Sequence, residues 1–193
     1  MSNNKTGLKQ VLTPPGVVYL SLGLVILSLI LFNLPGLPIS SAALLERSGG
    51  LSILDMRLQY TPTDVQELFI ALGEDGRSSY QLTHLTLDLA FPLFYTFFFA
   101  SAFIQLGAHL EISPKRQHLP AWLALLAGAM DLVENFSIVK LVTAFPVELP
   151  GLVRVAQIAT LAKFSLFVLN LLLLANLLIL VLRKVRSRQN HVS

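Results

Sequence analysis

KFSLFVLNLLLLANLLILVL, residues 163–182, carries one charge, on its first residue, in a run of twenty. A helix rises 1.5 Å per residue, so the run is about 30 Å long, the thickness of a bilayer's hydrocarbon core. Inside that layer no water satisfies backbone N–H and C=O groups, and a single segment meets the demand only as a helix. Three earlier stretches, about 16–35, 88–108 and 119–141, have the same length and apolar character. The sequence therefore predicts an all-α integral membrane protein, a four-transmembrane-helix bundle forming one membrane domain over 1–193. The connection over about 36–87 is expected to form a small helical extracytoplasmic cap.

Composition agrees, with 54% hydrophobic residues, 13% charged residues and a mean hydropathy of +0.68. That is beyond the range of ordinary soluble domains. With no cysteine, disulfides, thiolate nucleophiles and Cys-bound metals are excluded. The net charge of +3 does not point to nucleic acid, because the basic residues follow the pattern of membrane insertion. Lys5 and Lys9 precede the first run, Lys115 and Arg116 lie between the second and third, and Arg183, Lys184, Arg186 and Arg188 follow the fourth. These segments are read as cytoplasmic, with both termini inside. The localisation expected is the bacterial inner (plasma) membrane, a choice resting on short termini and a cysteine-free outer loop. Ser41-Ala42-Ala43 loosely resembles a signal-cleavage site, but the run before it is longer than a signal core, which favours an anchored first helix.

Within the long connection, Thr61-Pro62-Thr63-Asp64 has the form of a helix start: an N-cap, a proline in the first turn and an acid at the third position. Val65, Leu68, Phe69 and Leu72 then mark one helical face, and Gly73 is placed to end the helix. LSILDMRLQY, from Leu51, is compatible with an extended segment or a surface helix.

The third run contains AGAMDLVENFSIVK, residues 127–140. Carboxylates within a membrane helix cost several kcal/mol unless paired, protonated or used, so Asp131 and Glu134 are the candidate catalytic residues. Asn135 shares their helix side, which Ala124 and Gly128 continue with small residues that let another helix approach. Counting 1.5 Å per residue from the outer boundary puts Tyr95 about 10 Å deep, Glu134 about 9 Å, Asn170 about 10 Å and Asp131 about 13 Å. One polar level is expected there, with Asn135, Tyr95 and Asn170 as ligand-binding candidates. His84 and Asp88, at i and i+4, would stand at its mouth, and Lys163 would be a counter-ion. The loop charges Asp55, Arg57, Glu74, Asp75 and Arg77 read more naturally as a solvated face than as a lid.

No spaced His or carboxylate motif supports a metal, and none of the sequence calls for a cofactor. The function expected is an outward-facing intramembrane pocket that binds a lipid-like or isoprenoid molecule. Two carboxylates close enough to differ in acidity would suit acid–base chemistry on it, although the residues leave catalysis open. One alternative is a non-catalytic membrane assembly protein whose polar cluster is structural. Proton-coupled transport is a third and weaker reading, since the inner half is nearly devoid of polar residues. Expected partners are membrane lipids, a lipid-like ligand, and a membrane protein or a second copy; nucleic acid is not among them.

Overall fold

The computed structural model describes residues 14–190 and, within them, all side chains except those of 114–117, 188 and 190. Lys5 and Lys9 lie outside the described residues, as do the side chains of Lys115, Arg116 and Arg188. Every regular element is helical: α1 (Pro15–Phe32), α2 (Ser41–Arg47), a 3₁₀ turn (Leu54–Met56), α3 (Pro62–Leu85), α4 (Leu87–His109), α5 (Pro114–Ala144) and α6 (Pro150–Asn190). Among the described residues, four stretches are long and apolar enough to cross a membrane: Pro15–Phe32, Pro62–His109, His118–Ala144 and Pro150–Ser187. The skin they present is greasy, with Tyr19, Leu20, Trp122, Leu172 and Leu182 all largely exposed. Such contiguous apolar exposure suggests a membrane protein.

Local chemistry explains most boundaries. Pro15 starts α1, and the Asn33 side chain closes it by donating to the Leu29 carbonyl at 2.8 Å. Ser40 caps α2, accepting the Ala43 N–H at 3.1 Å. Thr61 and Asp64 form a reciprocal capping box at the start of α3. Gly73 does interrupt that helix, with φ 65° and ψ −175°, a conformation open essentially to glycine alone. The chain resumes helix at once, so α3 is two short helices joined at a kink, longer than the expected 61–73. A second break at Thr86 separates α3 from α4. The Leu51 segment becomes extended chain around the 3₁₀ turn.

α5 packs against both α4 and α6, and α4 also touches α6. α1 stands apart, packing mainly on α4 through a thin stripe that includes the buried Ser21 and Ser28. Each of these serines returns its hydroxyl to its own helix, to the carbonyls of Val17 and Leu24. At the end where α5 stops and α6 begins, α2, the 3₁₀ turn and α3 fold over both. Leu44, Leu54, Leu68, Phe69 and Tyr80 there share an apolar core with Ile138, Leu141 and Val153. At the opposite end Lys184 ties α6 to the α4–α5 turn, donating to the His109 carbonyl at 3.0 Å and to Glu111 at 2.8 Å.

Candidate functional site

One side of α5 carries Asp131, Glu134 and Asn135, and all three are paired with groups on neighbouring helices. Asp131 accepts the Tyr95 hydroxyl of α4 at 3.0 Å and lies 3.5 Å from the Lys163 ammonium of α6. Glu134 is fully buried, held by the same ammonium and by the Thr160 hydroxyl one turn earlier on α6. Lys163 thus sits between two carboxylates of one helix, which places both within reach of a single cation.

Asn135 turns toward α3 and α4. Its amide donates to the Asp88 carbonyl at 2.7 Å. That carbonyl stands four residues before Pro92, which has no N–H to return, so Asn135 satisfies the acceptor that proline orphans. The amide oxygen of Asn135 faces His84 Nδ1 at 3.0 Å, and Asp88 Oδ2 faces the same nitrogen at 2.7 Å. Two acceptors on Nδ1 assign the ring proton there. The other ring nitrogen, Nε2, is buried without a hydrogen bond and lies 3.8 Å from Asp55 Oδ1. Asp55 is fixed by the Tyr80 hydroxyl at 2.9 Å, and that hydroxyl accepts the Leu54 N–H at 3.0 Å. Beside this network, outside the spans, burial pushes the Tyr60 phenol well above its usual range, against the opposing pull of the Thr160 hydroxyl.

Some of these groups border a cavity of about 290 Å³. Its polar lining is Asn33, Ser41, Asp55, Asp88, Asp131, Tyr95 and Lys163; its apolar lining is Leu29 and Phe32 of α1, Met56 of the 3₁₀ turn, Phe91 of α4, and Phe164 and Phe167 of α6. Phe91 and Phe167 each stand edge-on to Tyr95, with ring centres 5.3 Å apart. Among the described residues, no group of three or more His, Cys, Asp or Glu is placed to hold a metal ion.

The positions expected from the sequence divide. Asp131, Tyr95, Asp88 and Lys163 face the cavity; Glu134, Asn135, His84 and Asn170 do not line it. Glu134 and Asn135 are rotated off the Asp131 direction and consumed by helix contacts. His84 is 1% exposed, because α2 and the 3₁₀ turn cover what the sequence places at a mouth. Asn170 is buried about one turn beyond Phe167 and donates to the Leu166 carbonyl of its own helix at 2.8 Å. Asp55 departs from the expected solvated face: it is a cavity wall residue with a side chain 13% exposed. Thr160 and the Tyr80–Asp55 bond have no sequence signal, since both arise from contacts more than twenty residues apart.

The chain matches no protein-family model, no curated protein and no solved structure.

Proposed function

We propose that this chain is a multi-pass protein of the bacterial inner membrane, with both termini cytoplasmic, that holds a lipid-like molecule in the cavity between α1, α4 and α6. In this reading α2, the 3₁₀ turn and α3 form an extracytoplasmic cap over the polar end. The supporting observation is the mixed lining of one cavity: charged and neutral polar groups, a phenol among them, together with six apolar side chains from α1, the 3₁₀ turn, α4 and α6. Soluble substrates do not need the apolar lining, and structural salt bridges do not need the cavity.

The helix arrangement supports a way in. α1 and α6 flank α4 without packing closely on one another, and each lends apolar residues to the cavity. A volume of about 290 Å³ stands at the lower end of ligand pockets, which run from about 300 to 1,000 Å³. That space takes a polar head and the start of one chain, and the rest of the tail then lies in the groove between α1 and α6, against bilayer lipid. Asp131 is the group best disposed to exchange a proton with such a head, since it reaches the cavity while Tyr95 and Lys163 hold its carboxylate. Glu134 then serves to position Lys163.

A structural role is the better reading for Glu134 and Asn135, because both are at most 1% exposed and both join helices. Native mass spectrometry of the protein in a nonionic detergent tests the two roles together. Wild type should carry a lipid-sized adduct that Leu29→Trp, which fills the cavity, removes without lowering Tm. Asp131→Asn should leave Tm within a few degrees, whereas Glu134→Gln should lower it. An adduct-free wild type, or equal Tm losses from Asp131→Asn and Glu134→Gln, would return the whole cluster to helix packing.

A further inference from the structure

We propose that the molecule held in this cavity is a cationic amphiphile, a protonated or quaternary amine on an apolar chain; this rests on the lipid-binding reading above and names its head group. The charges of the site do not balance. Among the described residues, Asp55, Asp88, Asp131 and Glu134 have Lys163 and His84 as their basic partners, so acids exceed bases even with His84 charged. Buried charge of one sign is costly until a counter-charge arrives or a proton is taken up, and a cationic head group supplies the first.

The placement of the excess matters as much as its sign. Lys163 is occupied on both sides, by Asp131 and by Glu134, and offers no free ammonium to a phosphate or carboxylate head. Asp88 has a side chain 9% exposed, and its Oδ2, 2.7 Å from His84 Nδ1, is buried without a hydrogen bond. Asp88, Asp131 and Asp55 all border the same cavity, so an anion entering it meets three carboxylates. The remaining wall suits a cation equally well. Phe91, Tyr95, Phe164 and Phe167 line the space with aromatic rings, and the Phe164 ring already lies 5.4 Å from the Lys163 ammonium, the kind of cation that aromatic rings attract.

Three chain-matched probes separate the head-group classes: dodecyltrimethylammonium, dodecanol and dodecanoate, titrated into the full-length protein in a nonionic detergent and read by native mass spectrometry. The ammonium should form a one-to-one complex about tenfold tighter than the alcohol, with dodecanoate weakest. Asp88→Asn and Asp131→Asn should each shrink the ammonium-to-alcohol ratio toward one. The two substitutions lie on different helices, and the wild-type ratio decides on its own if either variant fails to fold. Equal binding of the alcohol, tighter binding of dodecanoate, or a ratio that survives both substitutions would overturn the cationic head while leaving the lipid-binding reading in place. Absence of a one-to-one complex with any probe would overturn both.

Discussion

Replacing Lys163 with methionine keeps the length of the side chain and deletes the one ammonium shared by Asp131 and Glu134. Asp131 retains the Tyr95 hydroxyl; Glu134, with a fully buried side chain, retains only Thr160. Breaking a buried pair by removing one partner costs about 3–5 kcal/mol, because a charge is left without compensation. A carboxyl has an escape, which is to take up a proton. For a carboxyl of ordinary acidity, near 4.3, that costs about 3.7 kcal/mol at pH 7 and about 1 kcal/mol at pH 5. Lys163→Met should therefore lose about 3.7 kcal/mol at pH 7 and about 1 kcal/mol at pH 5. The sign follows from proton linkage: the folded variant holds a proton that the unfolded chain has released, so its stability falls as pH rises through this window. Unfolding by sodium dodecyl sulfate in mixed micelles, followed by far-UV circular dichroism, measures both values. The double variant Lys163→Met with Glu134→Gln should regain at least about half of the pH 7 loss. A loss below about 1 kcal/mol at pH 7, or one that does not change with pH, would show that Glu134 and Lys163 are not a coupled buried pair.

Three further outcomes are expected. Asn135→Ala should cost about 1–3 kcal/mol in the same assay by orphaning the Asp88 carbonyl, and Pro92→Ala, which restores a backbone donor in α4, should recover part of that loss. A Cβ at Gly128 would clash with Thr96 Oγ1, so Gly128→Ala should destabilise by about 1–3 kcal/mol; adding Thr96→Ala should relieve most of it, and additive losses would refute the steric account. Tyr80→Phe leaves the buried Leu54 N–H without its acceptor and frees Asp55, so hydrogen exchange at residues 52–57 should speed up at a stability cost of about 1–3 kcal/mol; unchanged exchange would mean that Tyr80 does not hold the 3₁₀ turn.

What the sequence determined by itself was whatever depends on short range. Run length and hydropathy fix four helices, since a backbone without water must bond to itself, and they do so whichever helix lies next to which. The start of α3 was equally legible: the Thr61–Asp64 box and Pro62 act within one turn, and Gly73 breaks the helix by its own backbone freedom. Periodicity also showed that Asp131, Glu134 and Asn135 share a side of α5. It could not assign their partners. Sixty degrees of helix rotation separates a carboxylate that reaches a cavity from one sealed under Lys163, and that angle is set by how α4 and α6 pack. The same limit hid Asp55, which reads as a surface acid until Tyr80 and His84, 25 and 29 residues later, close over it. Asn170 is a related case: an axial count gives depth along a helix but not the direction of a side chain, and here the amide donates to the Leu166 carbonyl of its own helix. Helix formation is local, whereas burial, pairing and the cavity belong to the assembled bundle, because only there do groups distant in sequence exclude water from one another.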